Sequence, residues 1–236
     1  DLIGYFLDNE LPWYGEAGWR TGDPRTLLDF YLELPEGSPG RERAAKYAGK
    51  ADEFAGEAAR RFMKIAADAV RRRDPNHLIL GVRIAGYAPD PVVKGIGGFS
   101  DVFSVNWYVK DGRPDPARLE RLSVLSGKPI MITEFSYRAM ENRSGLKNSR
   151  GADVTVPAQA DRASRYARYV GTLAALPCVI GFHWFQYFDQ PTLGRFDGED
   201  SNYGLVDQKD EPYAELLEAM KEMNGRVAKL HSESPP

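Results

Sequence analysis

A chain of 236 residues that is 42% hydrophobic and 11% aromatic has enough apolar side chain to bury a full-sized core, in one large domain or two small ones. Its formal net charge of −3 supplies no general field for polyanions, which argues against charge-driven nucleic-acid binding. One cysteine, Cys178, and three widely spaced histidines, His77, His183 and His231, exclude an intramolecular disulfide framework and a multi-cysteine metal centre, and argue against a histidine-built catalytic zinc. No metal or organic cofactor is expected. No apolar run approaches the roughly twenty residues of a membrane span, and the chain opens on Asp1 with no signal-peptide pattern.

In chain order, residues 2–8 read as a buried strand that ends on Asn9-Glu10, followed by Pro12 and an aromatic cluster of Trp13, Tyr14 and Trp19. That cluster suits either sugar subsites or the hydrophobic plug of a long loop. Arg43 to Arg73 reads as one helix with Phe54, Ala58, Phe62, Ile65, Ala66 and Ala69 on its apolar face, stopped by Asp74-Pro75. Its closing Arg71-Arg72-Arg73 is explained by solvation and the helix dipole. A second strand at 78–84 carries Arg83, a charge that must pair with a carboxylate or point outward. A third, at 101–107, leads to Asn106 and Tyr108, two apart and therefore expected on one face.

After a helix at 116–126, a fourth strand at 129–134 ends on Glu134. Two glutamates at strand ends are thus available to face each other across one site. The loop 136–157 is long and polar, a helix follows at 158–175, and a fifth strand covers 178–185, with Cys178 read as core. A second long loop, 186–211, precedes a helix at 212–228 opened by Pro212.

Alternating strands and helices imply an α/β fold with a parallel sheet, either doubly wound or a (β/α)8 barrel. A doubly wound nucleotide fold wants a glycine fingerprint after its first strand. Here Pro12-Trp13-Tyr14 stands there instead, and Gly95-Ile96-Gly97-Gly98 precedes a strand and reads as a turn. A TIM barrel needs eight strands and about 250 residues. Five strands fit a barrel portion covering strands four to eight, so residues 1–236 are expected to form the C-terminal part of one catalytic barrel, with three more strands upstream. An open five-stranded sheet exposes edges, and the piece alone is expected to be unstable or to self-associate.

In Gly4-Tyr5-Phe6-Leu7-Asp8-Asn9-Glu10 and Ile132-Thr133-Glu134-Phe135 the chain resembles the large clan of retaining (β/α)8 glycoside hydrolases. That clan sets an Asn-Glu pair after strand four and a glutamate at the end of strand seven. The segment Gly181-Phe182-His183-Trp184-Phe185-Gln186-Tyr187-Phe188-Asp189-Gln190-Pro191, with Asn202-Tyr203-Gly204 beyond it, narrows the resemblance to agarase-like enzymes and, more loosely, microbial β-galactosidases.

The resemblance implies that Glu10 is the general acid/base and Glu134 the nucleophile of a double displacement. In such enzymes the two carboxyl groups stand about 5–5.5 Å apart. The acid has to hold its proton near neutrality while its partner is ionised and release it once that partner is esterified. Asn9 is expected to bond the sugar 2-hydroxyl, or else to serve as a turn or cap. Tyr108 is expected to aim Glu134, or else to pack at the rim. Trp184 is expected as an aromatic floor under the sugar, with core packing as the alternative. Gln186, Asp189 and Asn202 are expected as polar partners of its hydroxyls, and Asn106 and Arg83 as further contacts. The implied partner is a poly- or oligosaccharide, with no nucleic acid and no membrane, in a secreted or periplasmic enzyme. From a different class comes the alternative of a non-catalytic carbohydrate-binding barrel or inactive remnant.

Overall fold

The computed structural model describes residues 2–13 and 25–234. Asp1, Tyr14 and Trp19 lie outside them. Two compact units share the chain: Asp1–Val105 with Arg121–Met131, and Asn106–Glu120 with Ile132–Pro236.

In the first unit β1 (Gly4–Tyr5) pairs in parallel with β2 (Leu78–Ile79), Gly4 opposite Leu78 and Tyr5 opposite Ile79. The expected strand at 78–84 is broken. Gly81 and Arg83 both take positive φ, 89° and 50°, and a left-handed residue cannot continue an extended ladder. The chain resumes as β3 (Ile84–Ala85), which lies beside β4 (Phe103–Asn106), itself beside β5 (Ile130–Phe135). Leu80, Val102 and Met131 form a buried cluster with Phe6 packed on it.

Helices α1 (Leu27–Leu32), α2 (Pro39–Ala45), α3 (Ala51–Arg71) and α4 (Asp90–Gly97) also belong to this unit. The α1 start is a capping box: the Thr26 side chain accepts from the Asp29 N–H while Asp29 accepts from the Thr26 N–H at 2.7 Å. Sequence periodicity over 43–73 suggested one helix, but the chain breaks between α2 and α3, where Gly49 sits at φ 74°. The buried stripe of α3 is Ala55, Ala59, Met63 and Ala67 with Phe54 and Gly56. Ile65, expected inside, is 60% exposed. The small residues face inward because α4 comes very close: a Cβ on Gly95 would stand 2.6 Å from the Gly56 carbonyl oxygen, and one on Gly56 would stand 2.5 Å from Pro91. Gly95 and Gly97 are therefore close-packed residues of a helix, where the sequence suggested a turn.

β4 and β5 run on into the second unit, as does α5 (Pro116–Ser126) in the reverse sense. Phe103 N–H donates to Pro129 O at 2.9 Å and Trp107 N–H to Glu134 O at 2.8 Å. Donors and acceptors climb together, as in a parallel pair. β8 (Val179–Trp184) lies on the other side of β5, and the ladder continues beyond it through Phe185 N–H to Phe135 O at 3.0 Å. A small parallel pair, β6 (Arg138–Ala139) with β7 (Thr155–Val156), ties the ends of the loop after β5. Helices α6 (Gln159–Ala174) and α7 (Ala214–Ser232) pack on one another. At the centre, Phe135 stacks on Tyr169 with ring centroids 4.2 Å apart and 5° between planes. Cys178, expected in the core, is only half-buried.

Candidate active site

All six residues of β5 are buried, so its apolar run is continuous and a charged residue within it needs partners. Glu134 is 9% exposed and accepts a hydrogen bond from the Tyr108 hydroxyl at 2.9 Å. Beside it, the buried Thr133 hydroxyl donates to Asn106 Oδ1 at 2.7 Å, fixing which way that amide points. β4 ends at Asn106, so the alternation that suggested a common face for Asn106 and Tyr108 stops before Tyr108. The tyrosine reaches Glu134 from the segment after the strand.

Trp184 closes β8. Its indole Nε1 donates to Tyr203 O at 2.9 Å, and its ring meets Phe135 and Tyr166 edge-on at 5.5 and 5.8 Å. Tyr203 in turn sets its ring 6.3 Å from that of Tyr108. Just beyond β8 the Phe185–Gln186 peptide is cis, and Gln186 Nε2 donates to Phe188 O at 2.8 Å.

Asp189 and Asn202, expected to meet sugar hydroxyls, are 5% and 0% exposed and committed to protein groups. Asp189 Oδ1 accepts from Asn202 Nδ2 at 2.7 Å and Gly204 N–H at 2.9 Å, while Oδ2 accepts from the Ser144 and Tyr213 hydroxyls, both at 2.6 Å. Four donors occupy the four lone-pair positions of a carboxylate. Asn202 Oδ1 accepts from Ala139 N–H and Gln159 Nε2. Both side chains, expected to meet sugar hydroxyls, are thus engaged with protein groups that tie the loops together. The same holds for Arg138, which donates to Thr155 Oγ1, Ser201 Oγ and the Arg150 carbonyl, knitting the 136–157 and 186–211 loops together.

In the first unit, Glu10 is half-buried. Its N–H is shared between Val82 O and Arg83 O, each at 3.3 Å, and its φ is 55°. Arg83, its neighbour across that bond, has φ 50° and donates its N–H to Ser104 Oγ at 3.0 Å. Two non-glycine residues held left-handed side by side store strain of order 1–3 kcal/mol each, a feature that clusters at functional sites. The Arg83 guanidinium lies over the Phe6 ring, 5.6 Å from its centroid. Asn9 is exposed, its N–H held by Asp8 Oδ1 at 2.8 Å. Trp13 is 8% exposed and packs edge-on against Phe62 at 5.7 Å, the plug role rather than a sugar platform.

Sequence reasoning passed over Arg162, which is 0% exposed and lies over the Trp184 ring at 5.7 Å. The signal was present: in α6 it falls on the stripe of Tyr166, Tyr169 and Leu173, a cation among residues spaced for burial. Among the described residues, no cluster of three or more His, Cys, Asp or Glu side chains could hold a metal ion, and no helix is long and apolar enough to cross a membrane.

No protein-family model matches the chain. Several solved structures are similar to it. The chain is similar to the crystal structure of BpGH50, with a TM-score of 0.82 and 26% identity over 99% of this chain and 51% of that one. It is also similar to the structure of an exo-β-agarase, with a TM-score of 0.70 and 31% identity over 86% of this chain and 26% of the other. A particular relative is β-agarase B of Vibrio sp. (strain JT0107), 38% identical over 272 residues, 97% of this chain and 28% of the relative. The chain therefore spans little more than a quarter of that relative's length.

Proposed function

We propose that this chain is the strand-four-to-eight portion of a (β/α)8 barrel in a retaining β-glycoside hydrolase that cleaves an agar-type polysaccharide, exported to reach its polymer. The observation that carries the reading is Glu134, a carboxylate nearly buried at the end of a parallel strand and held by the Tyr108 hydroxyl at 2.9 Å. Similarity to β-agarases over nearly the whole chain supports the substrate class. Ile180, 50% exposed on β8, marks an apolar strand surface suited to cover from barrel strands outside this chain.

In this mechanism Glu134 attacks the anomeric carbon while Glu10 protonates the leaving oxygen. Glu10 then takes a proton from the water that releases the glycosyl group from Glu134. Tyr108 aims the nucleophile, Asn106 is held by Thr133 to offer its amide, and Asn9 bonds the 2-hydroxyl. Trp184 forms the platform under the reacting sugar, Gln186 bonds a hydroxyl beside it, and Arg83 stands at the rim.

A 2-fluoro-glycoside inactivator tests this on the full-length protein. Stoichiometric covalent mass increase on a peptide containing Glu134 is expected. Binding without labelling would leave the non-catalytic carbohydrate-binding reading in its place.

A further inference from the structure

Arg162 is a fully buried guanidinium whose hydrogen bonds all go to carbonyl oxygens from three parts of the second unit. Nε donates to Tyr137 O at 2.8 Å, Nη1 to Gln159 Oε1 at 2.8 Å and Nη2 to Gly204 O at 2.7 Å. Its Cζ lies over two aromatic rings, 5.7 Å from the Trp184 centroid and 5.1 Å from that of Tyr213. Burial lowers its pKa to about 10, with Asp189 and Tyr213 opposing the shift, so it stays charged at neutral pH. A buried charge of this kind is costly to keep unless it is hydrogen-bonded, and three carbonyl acceptors and two aromatic rings surround this one.

What it organises lies on both sides of the proposed site. Tyr137 is three residues past Glu134, and its carbonyl anchors the exit of β5. Gly204 follows Tyr203, whose carbonyl receives the Trp184 indole and whose ring packs near Tyr108. The Gly204 N–H is fixed from the other side by Asp189, itself bonded to Tyr213. One peptide segment, Tyr203–Gly204, thus sets the plane of Trp184, and one planar cation sets that segment.

We propose that Arg162 is the positioning residue of the carbohydrate platform: it acts through Tyr203–Gly204 to hold Trp184 at the angle at which a sugar ring stacks on it. This rests on the hydrolase reading above. Only a rigid fork with five donors reaches acceptors in three directions at once, which a lysine ammonium on a flexible stem cannot reproduce.

The experiment uses the full-length protein labelled with 5-fluorotryptophan, the Trp184 resonance being assigned by its loss in Trp184→Phe. In Arg162→Lys, that resonance is expected to shift or broaden, and kcat/KM for a neutral agar oligosaccharide to fall at least tenfold, most of it through KM, as lost platform binding requires. Tyr213→Phe, which keeps the ring over the guanidinium but removes the hydroxyl from Asp189, is expected to move both readouts the same way by less. It decides the matter if Arg162→Lys does not fold. A folded variant with the Trp184 resonance unmoved and KM within twofold of the parent overturns the proposal. Glu134→Gln, assayed in parallel, separates the two claims: if it is inactive while the Arg162 variants behave as the parent, only the positioning role falls. If Glu134→Gln stays active, the hydrolase assignment of Glu134 falls instead.

Discussion

The surroundings of Glu134 and of Glu10 are built on different physical plans. Glu134 sits in a strand buried along its whole length, fixed by a tyrosine and backed by a stacked aromatic core of Phe135, Tyr166 and Tyr169. Glu10 stands half-buried on a loop, on a left-handed backbone with a shared, long hydrogen bond to Val82 and Arg83. The difference matches the two proposed tasks. A nucleophile must remain aimed, and preorganised hydrogen bonds serve that. An acid/base changes protonation twice per turnover, which a water-accessible position allows.

The largest expected effect is on Glu134 itself. Glu134→Gln should lower turnover on the order of 10⁴-fold or more in steady-state kinetics, as for other groups that act as the reacting nucleophile, with the melting temperature little changed. Retained activity would erase the contrast. Glu10→Ala should be selective. Polymer cleavage should fall steeply, while a substrate with an acidic leaving group, which needs no protonation, should still show a burst of its released group. Equal losses on both substrates would remove Glu10 from the acid role.

Tyr108→Phe deletes one hydrogen bond to a charged group, about 1.5–3 kcal/mol, and should lower kcat about 10- to 100-fold while circular dichroism stays unchanged. Gly95→Ala addresses the first unit alone. A Cβ at 2.6 Å from the Gly56 carbonyl overpacks the contact of α3 with α4, at a cost of about 1–3 kcal/mol. Hydrogen exchange should quicken in those helices and stay as before around Glu134.

The smallest effect is electrostatic. Asp74 receives hydrogen bonds from His77 and Tyr5, which hold its pKa down to about 2. A carboxyl depressed by folding contributes stability that is complete above its unfolded pKa near 3.9 and disappears as pH falls through the folded value. Asp74→Asn should therefore melt below the parent at pH 6, with most of that gap closed at pH 2. A gap as large at pH 2 as at pH 6 would assign the loss to geometry rather than charge.

Much of this arrangement was legible in the residues. Apolar and β-branched runs located β1, β4, β5 and β8, and the 116–126 helix matches α5 because side-chain spacing in regular elements is a local property. The Asn106, Tyr108 and Glu134 grouping could be proposed because adjacent strands bring their ends together. The split of 78–84 at Gly81 and Arg83 was not legible, since a left-handed arginine has no sequence signature. Nor was the inward face of α3, where close approach of α4 selects alanine and glycine over Ile65.

By itself, the sequence determined an alternating α/β chain with Glu134 near the end of β5, since period and polarity are written residue by residue, whereas Glu10, expected at a strand end, stands on a loop five residues past β1. Only tertiary structure decided what Asp189, Asn202 and Arg162 do. Their character depends on which distant groups meet them in the interior: Asp189 meets Ser144, Asn202, Gly204 and Tyr213, and Arg162, which its spacing in α6 already marked for burial, meets the Tyr137 and Gly204 carbonyls.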